Sequence, residues 1–155
     1  MKKTNAIRLL QQKKIAFDTV HYIYDSENLD VRKIAEDNKL ELEHIYKTLV
    51  LEGDKTGIVV ALVAGNEVVS LKKMAAVSKN KKVAMLAVKD LQKYTGYVRG
   101  GCSPIGMKKQ YPIYISEAAK NLEKLYINAG TRGTLVGVAP SDLYALAQAE
   151  WAEIV

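Results

Sequence analysis

The sequence predicts one α+β domain, residues 1–155, built on a mixed β-sheet flanked by helices. Three observations carry this expectation. The chain has 155 residues, 48% of them hydrophobic and 26% charged, which suits a soluble domain that buries a core without disulfides. Its β-branched apolar runs meet at turns of two to six residues. Segments with helical periodicity fall between those runs without the regular alternation of a βαβ array.

A helix is predicted over about 4–14, capped by Thr4, with Ile7 and Leu10 on one side. Residues 15–24 alternate through Phe17, Val20 and Tyr22 and read as a strand. A helix over about 28–38 places Val31, Ile34 and Ala35 on one face, with Asn38 as a left-handed stop. Residues 41–46 read as a short helix or turn. Residues 48–51 and 58–64 form a hairpin about EGDKTG. Gly65-Asn66 is a second turn, leading into 67–70. Ser70 caps a helix with Leu71, Met74 and Ala75 inward. A short strand over 82–86, a helix over 88–94, a strand over 111–115 and a helix from Ser116 follow. Strands over 125–129 and 134–138 flank the turn GTRG, and Pro140 opens the last helix, to about Ala149.

The charge is unevenly placed. Between Lys72 and Lys109 lie ten basic residues and one acid, Asp90, for a net +9, while the rest of the chain carries −3. That asymmetry points to an anionic partner, nucleic acid first, against the plainer reading of a solvated lysine-rich face. One cysteine and two separated histidines exclude an intramolecular disulfide and make no metal site. No apolar run is long enough to cross a bilayer, so no membrane role is expected. The basic N-terminus lacks the apolar stretch of a signal peptide, so it reads as mature sequence and the expected compartment is the cytoplasm.

The segment TGYVRGGCSPIGMKK, 95–109, holds four of the ten glycines, one of the three prolines and three cations. Such a loop can present backbone N–H groups to an anion, or can simply turn the chain. Lys47 enters an apolar strand from a polar turn. It can anchor a phosphate or polarise a carbonyl, although a lysine that reaches out to solvent is the commoner case. Cys102 has no base near it in sequence and reads as a small apolar loop residue. Tyr22, Tyr94 and Tyr97 can stack on bases or edge the core. The pair Gly130 and Gly133, with Arg132 between them, makes a hairpin turn; facing the first loop, it would give a pocket two glycine-lined walls.

Taken in order, TNAIRLL, YKTLV, SLKKMA, TGYVRGGCSPIGMKK and NAGTRG resemble the YbaK/EbsC family, free-standing relatives of the editing domain of prolyl-tRNA synthetases. The likeness runs from about Lys3 to Ile154. It implies a mixed sheet curled toward a barrel. The implied activity is deacylation of mischarged aminoacyl-tRNA, notably Cys-tRNA(Pro), by hydrolysis or by cyclisation of the substrate's own cysteine. The implied partners are tRNA and prolyl-tRNA synthetase, not DNA, and no cofactor is implied. Carried over by motif, Lys47 and Gly101 would be catalytic, with Lys47 holding the terminal adenosine or its phosphate. Tyr22, Gly100, Ser103, Pro104, Gly130 and Arg132 would bind substrate. Two departures stand out: no acid follows Gly133, where Thr134, Leu135 and Val136 lie, and Cys102 replaces an aliphatic loop residue. The alternatives are a deacylase for another amino acid such as Ala-tRNA(Pro), a non-catalytic module for a tRNA end or nucleotide, and a hydrolase of some other small ester.

Overall fold

The computed structural model describes residues 3–24 and 31–155. The strands form two sheets. Strands β2 (Tyr46–Gly53), β3 (Gly57–Ala64), β4 (Val83–Met85), β5 (Ile113–Ser116) and β8 (Glu150–Ala152) make the larger one, in the order β4-β2-β3-β5-β8. β2 runs antiparallel to β3 and β4, whereas β5 lies parallel to both β3 and β8. The smaller sheet is antiparallel, in the order β1 (Asp18–His21), β7 (Thr134–Val138), β6 (Leu125–Asn128). The barrel-like curl implied by the resemblance is therefore not a closed barrel: an isolated parallel bridge, Ile45 to Tyr126, links the two sheets.

Alternation along β2 and β3 explains the layers. Tyr46, Val50, Ile58, Val60 and Leu62 turn toward the core between the sheets, where they meet Leu125, Ile127, Val136 and Val138. Leu51, Val59, Ala61 and Val63 turn the other way, under Met74 and Ala75 of helix α3 (Leu71–Val77). β3 is covered on both faces, which is why its sequence, GIVVALVA, is a continuous apolar run rather than an alternating one. Helix α1 (Asn5–Gln12) closes the first core with Ala6, Ile7 and Leu10. Its cap Thr4 accepts from the Ile7 amide and donates to the Ala129 carbonyl. Helix α5 (Pro140–Ala147) adds Leu143 and Ala147.

Several elements depart from the sequence reading. β8 was not expected. It has only three residues, and its hydrogen-bonding partner β5 lies far back in the chain. The segment after Ser116 is a 3-10 turn, Glu117–Asn121, rather than an α-helix. Helix α2 is Val31–Asp37; the expected start near 28 lies outside the described residues. Its left-handed stop is Lys39, at φ 56°, while Asn38 donates its side-chain amide back to the Ile34 carbonyl at 2.9 Å. Leu71 opens α3 in solvent rather than inward. Helix α4 spans Val88–Thr95 and ends on Gly96 in the left-handed conformation.

Candidate active site

β2 is covered along only part of its outer edge. At one end the Ile45–Tyr126 bridge ties it to β6, and at the other Leu86 donates to the Val50 carbonyl at 3.0 Å. Between those points, Tyr46 to Leu49 form no ladder with another strand on that side among the described residues. A cavity of about 190 Å³ opens there. The three residues after β1 (Tyr22, Ile23, Tyr24), α2 (Val31, Lys33, Ile34, Asp37), β2 with Ile45, and Gly100, Asn128 and Leu135 line it. This volume suits a group the size of an aminoacyl moiety.

Lys47 is half-buried on this wall, and its ammonium donates to the Glu67 carbonyl at 2.8 Å. Burial lowers its pKa below the ordinary lysine value, while the Glu67 carboxylate opposes the shift. An ammonium has three donors, so this contact leaves others for a ligand. Thr48 follows on the opposite face of the strand, in the series of Tyr46 and Val50. Its hydroxyl oxygen is buried and has no hydrogen-bond partner among the described residues. Such a group is costly unless something arrives to bond it.

Across the cavity, the Tyr22 hydroxyl lies 3.3 Å from the Gly100 carbonyl and 3.5 Å from Asn128 Oδ1, and its one proton can serve either acceptor. Burial raises its pKa, which keeps it a phenol and a donor. Gly100 has φ +87°, and a Cβ there would meet the Tyr24 ring at 2.8 Å. Only glycine suits this place. The Arg132 guanidinium lies over the same Tyr24 ring, 4.7 Å from its centroid, and its Nε donates to the Arg99 carbonyl at 2.9 Å.

Of the residues singled out from the sequence, Tyr22, Lys47 and Gly100 come together on the cavity wall. Arg132 sits behind Tyr24. Gly101 packs on the backbone of Thr131 and Arg132, where a Cβ would stand 3.0 Å from both, and its amide donates to the Val98 carbonyl. The two glycine turns thus lie against each other and are not opposite walls of a pocket. Ser103 and Pro104 are buried away from the cavity lining, and the Ser103 hydroxyl accepts from the Ile105 amide at 3.4 Å. Gly130, at φ +93°, lets the turn pack on Tyr97 and Thr4.

The remaining candidates are structural. Tyr97 is a core residue whose hydroxyl donates to the Ile105 carbonyl at 2.8 Å, which removes it as a stacking platform. Tyr94 is partly buried against the same core. Cys102 belongs to that core, and burial pushes its thiol up to about 12, so it carries no thiolate near neutrality. His21 and His44 meet local partners, Thr134 and Glu41. No group of three metal-ligating side chains occurs among the described residues. No described helix is long and apolar enough to cross a membrane.

Sequence reasoning did not single out Thr48, Asn128 or Tyr24. Thr48 carried a signal, because it is the polar member of an inward-facing series in YKTLV. Tyr24 and Asn128 carried none, since only the meeting of β1 and β6 with the glycine loop places them at the cavity.

The comparisons with known proteins agree with one another. The aminoacyl-tRNA editing domain model matches residues 25–146. The chain is 45% identical, over 98% of its length and 93% of the relative's, to EbsC of Enterococcus faecalis, provisionally named a Cys-tRNA(Pro)/Cys-tRNA(Cys) deacylase. It is 22% identical to the uncharacterised YwhH of Bacillus subtilis, over 77% of its own length and 76% of that protein's. A crystal structure described provisionally as a trans-editing enzyme for prolyl tRNA synthetase superposes with a TM-score of 0.83 at 22% identity, covering 99% of this chain and 98% of that one; this likeness concerns the fold. The chain belongs to the aminoacyl-tRNA editing domain family.

Proposed function

We propose that this protein is a free-standing deacylase that removes a wrongly attached amino acid from tRNA in the cytoplasm, with Cys-tRNA(Pro) as the first substrate to test. One observation carries the proposal: a half-buried lysine ammonium stands on an open strand edge, at a cavity sized for an aminoacyl group. The name of the 45% identical relative points to the same substrate.

An aminoacyl ester is already activated, so the site needs position and charge stabilisation more than a strong nucleophile. Lys47 holds the terminal adenosine or its phosphate and thereby fixes the ester. The Gly100 carbonyl and the Tyr22 hydroxyl face the aminoacyl group. Gly101, Ser103, Pro104, Gly130 and Arg132 set the path of the loop that presents them. Two routes break the same acyl C–O bond. Water can add to the carbonyl carbon, releasing the free amino acid and returning a proton to the ribose oxygen. Alternatively the substrate's own thiol sulfur can form the new bond to carbon, giving a thiolactone, with the thiol proton passing to the ribose oxygen. No histidine or cysteine lines the cavity among the described residues, and that favours the second route. Prolyl-tRNA synthetase is the proposed source of the mischarged tRNA.

Incubation with Cys-, Ala- and Pro-tRNA(Pro) tests the proposal, with loss of the cysteinyl ester expected and product analysis separating cysteine from its thiolactone. Failure to deacylate any of them, or full activity in Lys47→Ala, overturns it. A second reading, a module that grips the tRNA end without turnover, is favoured by Leu135, an apolar residue on the cavity wall at the place after Gly133 where the resemblance implies an acid. Tight binding of a Cys-tRNA whose ester stays intact would select that reading.

A further inference from the structure

Far from the cavity, the tip of the β2–β3 hairpin and the turn between α3 and β4 are locked together. Asn80 is 8% exposed, and every polar position of its side chain is committed. Its Oδ1 accepts from the Lys55 and Thr56 amides at 2.9 and 3.0 Å. Its Nδ2 donates to Thr56 Oγ1 and Ser78 Oγ at 2.8 and 2.9 Å. Asp54 Oδ1 accepts from the Lys81 and Lys82 amides at 2.9 and 3.2 Å. Gly53 makes room for this clamp, because a Cβ there would stand 2.3 Å from the Asn80 amide nitrogen.

The clamp uses the main chain of the lysine residues and leaves their side chains outside. Lys55, Lys79, Lys81 and Lys82 are all exposed, and none forms an ion pair among the described residues. The nearby acids are Asp54, whose carboxylate accepts from amides and also feels the Lys55 charge, and Glu52, so four lysines against two acids leave the tip at +2. Elsewhere Lys33, Lys73 and Lys124 each meet a carboxylate. Helix-end electrostatics accounts for Lys79 at the close of α3, but not for the other three. Four like charges on two rigid turns repel one another unless an anionic partner meets them.

We infer that this clamped lysine tip is a second RNA-binding surface, taking backbone phosphates of the tRNA duplex while the cavity takes its 3′ end. The inference rests on the tRNA substrate proposed above. The spacing fits an extended ligand: β2 runs six residues from Lys47 to Gly53, or about 20 Å at the rise of an antiparallel strand. Double-stranded RNA is recognised mainly by shape and by its backbone, for which a rigid set of lysines is suited.

The test uses the full chain and uncharged tRNA(Pro), with binding followed by fluorescence anisotropy across salt concentrations. The variant Lys55→Glu/Lys81→Glu/Lys82→Glu is compared with an equally charge-changed control, Lys13→Glu/Lys14→Glu/Lys39→Glu. The tip variant is expected to bind at least tenfold more weakly, and its log–log salt slope to be shallower by about one for each phosphate it no longer engages. The control is expected to stay within about threefold, and both are expected to melt near the wild type. Equal weakening in the two variants, or none in the tip variant, overturns the inference. Cleavage of a 3′-cysteinyl adenosine without a duplex is expected to be unchanged in the tip variant; a parallel loss there also overturns it. Absence of all deacylation in the wild type would sink the enzyme reading alone, since the binding arm still reports on the tip.

Discussion

Replacing Thr48 with valine separates stability from activity at this site. The Thr48 hydroxyl is buried beside the cavity without a partner among the described residues. An unbonded buried polar group costs about 1–3 kcal/mol, and the lower end applies here because the residue as a whole is only half-buried. Valine has the same shape and no hydroxyl. Thr48→Val is therefore expected to stabilise the free protein by about 1 kcal/mol, a rise in Tm of roughly 2–4 °C for a chain of this size. Substrate is expected to supply the missing partner, so kcat/KM on Cys-tRNA(Pro) should fall about tenfold, equivalent to roughly 1.4 kcal/mol. Denaturant titration reads the first effect and a deacylation time course the second, with Thr48→Ser as a control that keeps a hydroxyl. Destabilisation of about 1 kcal/mol or more by valine would mean that the hydroxyl is already bonded. Unchanged kcat/KM would mean that substrate never reaches it.

Lys47→Met should abolish most deacylation while shifting Tm by only a few degrees, as circular dichroism would show, because the stem still packs and only the ammonium is removed. Burial lowers the Lys47 pKa, so the folded state releases this proton first as pH rises; enzyme-dependent cleavage, after subtraction of spontaneous ester loss, should decline below the ordinary lysine pKa of 10.5. The stability linkage has the matching sign. The burial penalty on the ammonium is fully present below the lowered pKa and disappears between that pKa and 10.5, so Lys47→Met, which removes the penalty, should gain stability over the wild type at neutral pH and lose that gain at high pH in denaturant titrations. Gly100→Ala adds a Cβ 2.8 Å from the Tyr24 ring at φ +87° and should cost about 1–2 kcal/mol in urea unfolding, with activity falling as Tyr24 shifts. Cys102→Ala should keep activity within about twofold in the same deacylation assay, and the native thiol should react slowly with a disulfide reagent, since burial pushes it up to about 12.

The parts of the fold legible in the sequence were those with local causes. β3 could be read as a strand because burial on both faces writes an unbroken apolar run, and α1 and α3 because Thr4 and Ser70 cap them with their own side chains. β8 could not, because three residues gain strand geometry only from β5. The same division holds at the site. Lys47 stood out as a cation entering an apolar strand. The glycine loop was visible as a loop, but not which glycine meets the cavity. That choice is made by the Tyr24 ring against Gly100 and by the Thr131–Arg132 backbone against Gly101, packing that joins three distant stretches of chain.

The cavity also bears on how a deacylase of this kind could discriminate. Its wall at Leu135 is apolar, and a pocket that merely encloses a side chain separates cysteine from alanine or serine by little, since one small group in an apolar site is worth about 1–3 kcal/mol. A much larger difference is available from the substrate itself. A thiol has a pKa near 8.5 and is intrinsically nucleophilic, whereas a methyl group has no lone pair to offer. Among the described residues, the lining phenols and carboxylate are poorly placed to replace it as a nucleophile: burial raises the phenols of Tyr22 and Tyr46, and Asp37 is paired with Lys33 at 3.1 Å. A site that holds the ester and contributes no nucleophile would thus be selective through reactivity rather than fit. It would also spare correctly charged Pro-tRNA without having to exclude it, because a proline side chain has nothing with which to attack its own ester.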